Sequence, residues 1–80
     1  MEIKVKLNSY LRLNRKGYDY KTGLSYESDE PLTVIDVLKA LDIPTGDVQT
    51  VYLNGKMAPL TQLAFPGDEI NVFPGTPSGG

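Results

Sequence analysis

The sequence contains neither cysteine nor histidine. The first absence excludes a disulfide, a thiolate metal site and a catalytic thiol. The second removes the commonest metal ligand and the side chain that most readily moves protons near neutral pH. No apolar run approaches the roughly 18 residues that a membrane-spanning helix needs. The opening Met1-Glu2-Ile3-Lys4 alternates charged and apolar residues, which is not the pattern of a signal peptide. A cytoplasmic location, compatible with a reducing compartment, is the expectation. No bound cofactor, metal site or membrane contact is expected.

What is present suits one small domain. Eighty residues with 40% apolar side chains can cover one sheet with one layer of helix, and leave no room for a buried catalytic cavity. The net charge of −2 is unevenly spread. Residues 1–21 carry six of the eight basic side chains, Lys4, Lys6, Arg12, Arg15, Lys16 and Lys21, against Glu2 and Asp19. The rest of the chain holds eight acids against Lys39 and Lys56. Such a basic start could meet nucleic acid or an acidic partner. A solvated sheet face with lysine blunting an edge is the simpler reading, and the overall acidity argues against nucleic acid.

Ile3, Val5 and Leu7 alternate with Glu2, Lys4, Lys6 and Asn8, the period-two pattern of a strand with one buried face. Leu11 and Leu13 keep that parity, so the segment either continues as strand or breaks into a short helical turn. The polar stretch 14–23, with Gly17 and Gly23, reads as a long loop carrying Tyr18 and Tyr20. Leu24 and Tyr26 alternate with Ser25 and Glu27, predicting a second strand antiparallel to the first. From Pro31 the period changes. Thr33 can cap a helix through Asp36, and Val34, Val37, Leu38 and Leu41 fall on one helical stripe. Pro44 and Gly46 are expected to stop it. Asn54-Gly55 marks a type I′ hairpin turn, and Pro66-Gly67 leads into a last strand through Ile70 and Val72.

After Phe73 the run Pro74-Gly75-Thr76-Pro77-Ser78-Gly79-Gly80 has no charge and no apolar anchor. It cannot bury enough surface to offset its ordering entropy, so residues 74–80 are expected to form a flexible tail on a domain of residues 1–73. The order of elements is an α+β roll with one helix on one sheet face.

Catalytic side chains are not evident. Asp29-Glu30 and Asp68-Glu69 are adjacent pairs, and neighbours on a strand point to opposite faces. The glycines follow no phosphate-binding spacing. The Gly79-Gly80 end is different: it presents a carboxylate with no side chain for two residues, a thread that a narrow channel of another enzyme can admit. A frayed terminus is the bland alternative. The position of the tail directly after the last strand favours a working one.

Four features together resemble the MoaD/ThiS family of ubiquitin-like sulfur carriers: Thr33-Val34-Ile35-Asp36-Val37-Leu38, Val51-Tyr52-Leu53-Asn54-Gly55-Lys56, Pro66-Gly67-Asp68-Glu69-Ile70, and Phe73-Pro74 leading to Gly79-Gly80. The resemblance covers nearly the whole chain. It implies a β-grasp fold, a mixed sheet of four to five strands with the first and last central and parallel. It further implies a carrier, not an enzyme. A ubiquitin-activating-type enzyme would use ATP to adenylate the Gly80 carboxylate, and a sulfur-donor enzyme would convert it to a thiocarboxylate. Ser78 and Gly79 would thread into these partners. Phe73-Pro74 and the chain length look most like the small subunit of molybdopterin synthase, whose large subunit would then be a partner in molybdenum or tungsten cofactor synthesis. The usual Phe-Pro-Pro tail is one residue shorter, and the tyrosine-bearing loop 14–23 is a further departure. Carriage of sulfur for thiamine or tRNA thiolation, conjugation to target lysines, and a plain interaction module remain the alternatives. Phe73 and Pro74 at the tail's root, with Tyr52 and Met57 on the open sheet face, are the residues expected to grip a partner.

Overall fold

A computed structural model describes residues 1–75. Strand β1 (Glu2–Leu7) is followed by a short helix α1 (Ser9–Asn14), then β2 (Leu24–Glu27), β3 (Leu32–Thr33) and helix α2 (Val34–Ala40). A 3-10 turn (Thr45–Asp47) leads into β4 (Val48–Leu53), β5 (Lys56–Ala58), β6 (Leu63–Ala64) and β7 (Glu69–Pro74). The main sheet has the order β2-β1-β7-β4-β5, with β1 and β7 parallel and the other neighbours antiparallel. This is the α+β arrangement expected from the sequence. Among the described residues no helix is long and apolar enough to cross a membrane.

Alternation decides which face is covered. Ile3, Val5 and Leu7 of β1, Ile70 and Val72 of β7 and Val51 of β4 point to one side and are buried. Against them pack Val34, Val37 and Leu38 from one stripe of α2, all fully buried. Truncating any one of these large side chains to Ala should cost about 2–5 kcal/mol, the usual range for a core cavity. No polar or charged residue is buried among them.

Helix α2 starts as the sequence suggests: the Thr33 hydroxyl accepts from the Asp36 backbone N–H at 3.3 Å. Its end differs. Pro44 and Gly46 do not stop it. The stop comes at Leu41, followed by Asp42 in the left-handed region (φ 57°). Ile43 N–H bonds to Leu38 C=O at 2.9 Å and Asp42 N–H to Lys39 C=O at 3.0 Å. That is the Schellman pattern, here without the customary glycine. It turns Ile43 back into the core beside Leu38.

The open choice after Leu7 resolves to helix. The Asn8 side chain does not cap α1. It donates instead to Val72 C=O at 3.0 Å, and Asn8 N–H reaches the same oxygen at 3.1 Å. Leu11 is buried and Leu13 is exposed. The loop after α1 is pinned by the Tyr18 hydroxyl, which accepts from Leu7 N–H at 2.9 Å. Leu63–Ala64 pairs with Leu32–Thr33 as a separate two-stranded sheet, a feature too short to leave a pattern in the sequence.

Candidate functional site

The hairpin β4-β5 closes through Asn54 (φ 52°) and Gly55 (φ 87°), with Leu53 opposite Lys56. Two successive positive φ values define the type I′ turn, and glycine takes the second at no steric cost. The turn is also tied to the start of β7. Asn54 Nδ2 donates to Asp68 Oδ1 at 3.0 Å, and Asn54 Oδ1 accepts from Glu69 N–H at 2.9 Å. Asp68 Oδ2 accepts from Phe65 N–H at 2.8 Å. The Asp68 carboxylate therefore holds a turn together, as expected of an acid beside Pro66-Gly67.

With that register set, β4 runs antiparallel to β7 and places Thr50 opposite Phe73 and Tyr52 opposite Asn71. These side chains face away from α2. The Phe73 and Tyr52 rings meet edge to face, centroids 5.5 Å apart and planes at 82°. Met57 lies directly across the hairpin from Tyr52 and is 71% exposed; Phe73 is 37% exposed. The structure thus brings Tyr52, Phe73 and Met57 to one half of the uncovered sheet face. The other half is charged, with Lys6 Nζ 3.9 Å from Glu69 Oε1.

At the end of this face the chain leaves the sheet. Pro74, assigned to the tail from the sequence, is the last residue of β7 and stands opposite Val48. Gly75 N–H donates to Asp47 C=O at 3.1 Å. Between Val48 and Thr50 the register shifts by one residue, so Gln49 is the extra residue of a β-bulge beside the exit. Sequence reasoning missed both the bulge and the Asp47 contact, and no local signal marks either. Thr76, Pro77, Ser78, Gly79 and Gly80 lie outside the described residues, as do the threading and adenylation roles expected of the last three.

Nothing else among the described residues gathers reactive groups. Among the described residues no set of three or more metal-ligating side chains converges. Asp29 lies 3.5 Å from the Met1 ammonium and Glu30 N–H bonds to the Ser28 hydroxyl at 3.1 Å. The arrangement can present an apolar surface.

Helix α2 on one face of a mixed sheet, with parallel first and last strands, defines a small ubiquitin-like β-grasp protein. A family model described as Mut7-C ubiquitin matches residues 1–78, and the chain belongs to that family. Among solved structures it is similar to the solution structure of the Haloferax volcanii HVO 2177 protein. The two are 21% identical, the match covers 99% of this chain and 87% of that one, and the TM-score is 0.64. That likeness is one of fold. No curated protein gives a significant match.

Proposed function

We propose that the protein is a sulfur carrier that works through the Gly80 carboxylate and itself performs no catalysis. The observation that carries this reading is the geometry of the exit. The central strand β7 delivers the chain out of the sheet at Pro74-Gly75, beside an exposed apolar patch and a few residues from Gly79-Gly80. The MoaD/ThiS resemblance and the ubiquitin-like family support it. In the reaction, a Gly80 carboxylate oxygen attacks the α-phosphate of ATP held by a ubiquitin-activating-type enzyme, and pyrophosphate leaves. Hydrosulfide released by a sulfur-donor enzyme then attacks the acyl carbon, AMP leaves with the electron pair of the broken C–O bond, and loss of the sulfur-bound proton leaves the thiocarboxylate. A carboxylate is a poor acyl donor until AMP becomes its leaving group, so the carrier supplies only the reactive end. A chain without histidine or cysteine suits that division of labour. The favoured destination of the sulfur is molybdopterin, with its large synthase subunit as partner; thiamine and tRNA thiolation are the other sulfur destinations.

The test is intact-mass analysis of the chain ending at Gly80 after incubation with such an enzyme, ATP and a sulfur source. A gain equal to the sulfur-for-oxygen difference, lost on deleting Gly79-Gly80, is the expected result. No gain with any activating enzyme encoded nearby overturns the reading.

One observation favours a second reading, an interaction module whose tail is idle. The Tyr52–Phe73 pair and Met57 form an exposed patch that the fold does not need to close its core. Full complementation of a deletion strain by the chain lacking Gly79-Gly80 would establish that reading over the first.

A further inference from the structure

The cations of α1 and the loop after it are not consumed by the fold. Among the described residues Arg12, Arg15, Lys16 and Lys21 enter no ion pair. Arg15 Nη1 donates only to Asp42 C=O, at 3.2 Å, and the Arg12 guanidinium sits 6.0 Å from the Tyr20 ring centroid. Asp19 is the one acid within residues 9–23, and its carboxylate accepts from Lys21 N–H at 2.9 Å. Arg12, Leu13, Arg15, Tyr18 and Tyr20 line a single shallow depression. Leu13 is 74% and Tyr20 64% exposed on its rim. Two guanidinium groups three residues apart can each pair with a carboxylate bidentately, and the exposed apolar and aromatic side chains beside them gain by being covered.

We infer that this depression docks an acidic, extended segment of a partner protein. Carboxylates of the segment pair with Arg12 and Arg15, and an apolar side chain rests against Leu13 and Tyr20. Charge complementarity selects the occupant. Residues 22–80 carry eight acids against two bases, so a long polyanion such as nucleic acid meets repulsion once it runs past the patch, whereas a short acidic segment does not. The place is also suitable. Arg15 borders a second groove shared with Asp47, the residue whose carbonyl holds Gly75. A partner seated on the depression borders that groove through Arg15. The inference concerns binding alone and stands whether or not Gly80 carries sulfur.

The test uses the full chain and a fluorescent short peptide of Glu and Asp with one central Phe, followed by anisotropy. Binding that weakens with added salt is expected. Charged hydrogen bonds contribute enough that Arg12→Gln/Arg15→Gln should weaken it by about tenfold or more. Lys39→Gln/Lys56→Gln should leave it unchanged. Amide shifts on peptide addition should fall within residues 11–21. Because Arg15→Gln also removes a bond to Asp42, Lys16→Gln/Lys21→Gln, which breaks no side-chain hydrogen bond, serves as the second variant and should weaken binding measurably. The proposal is overturned by absent binding, by shifts centred elsewhere, by a folded arginine variant of unchanged affinity, or by an unchanged lysine variant. Tighter binding of a short oligothymidylate than of the peptide overturns it in favour of nucleic acid.

Discussion

The Phe73 and Tyr52 rings meet edge to face across the β4-β7 pair, at a centroid distance of 5.5 Å. Neither ring is needed to seal the core, whose fully buried members lie on the opposite side of the sheet. Phe73→Ala should therefore lower stability by about 1–2 kcal/mol, from the aromatic pair and the partial burial of the ring, short of the about 3–5 kcal/mol of a core phenylalanine. Its effect on affinity for an activating enzyme should be about tenfold or more. Thermal unfolding set against partner titration for this one variant decides the matter. Unchanged binding with a collapsed melting temperature would make Phe73 a core residue.

The two ends of α2 respond to substitution in opposite directions. Thr33→Ala removes the hydroxyl that receives Asp36 N–H and should cost about 1 kcal/mol. Asp42→Gly relieves a left-handed conformation at φ 57° and should stabilise by about 0.5–1 kcal/mol. The bond from Arg15 to Asp42 uses the backbone oxygen, so it survives the change. Denaturant midpoints of the two variants on either side of the parent are the expected outcome.

Asn54→Ala breaks more than a turn. It loses the bonds to Asp68 and Glu69 and strands alanine at φ 52°. A loss of about 2–3 kcal/mol follows from two hydrogen bonds and one strained residue. Asn54→Gly keeps the conformation and forfeits only the bonds, so its loss should be smaller. Equal losses in chemical denaturation would show that the turn conformation contributes nothing.

The Met1 ammonium donates to Glu27 Oε1 at 3.1 Å, and this bond raises its pKa above the ordinary 8.0. A raised folded value means that the pair's contribution is fully present below the ordinary pKa and is lost as pH rises through the folded one. Both groups are exposed, so the effect is small. Unfolding midpoints of the parent and Glu27→Gln should differ below the ordinary value of the amine and converge once the pH has risen past its folded value. A difference that stays constant with pH would assign the effect of Glu27 to something other than the amine.

Local patterns carried much of this fold into the sequence. Ile3, Val5 and Leu7 announced a one-sided strand, Thr33 with Asp36 a helix start, and Asn54-Gly55 a hairpin, because each is decided by residues that are neighbours in the chain. Leu13, by its parity, left strand and helical turn both open. It matched the strand period of Leu7 and Leu11, yet lies exposed at the end of a helical turn. The α2 stop at Asp42 went unread because a non-glycine residue takes the left-handed position. At the candidate site, parity put Tyr52 on the open face, while Phe73 was legible only as the root of the tail. Their contact depends on the register of two strands about twenty residues apart, and on a bulge at Gln49 that no local composition marks.

The parallel pairing of β1 with β7 gives the molecule a built-in order of events. The first strand made waits for the last before it gains its inner neighbour, since Val5 lies beside Ile70 and Leu7 beside Val72. A nascent chain that stops short of β7 lacks the middle of its sheet, and the β4-β5 hairpin has nothing to join. Contacts this distant in sequence slow folding and leave the half-made sheet open to aggregation. The strand that completes the fold is also the one that ends at Pro74, where the chain leaves the sheet. A chain truncated before β7 should therefore fail to close its core at all.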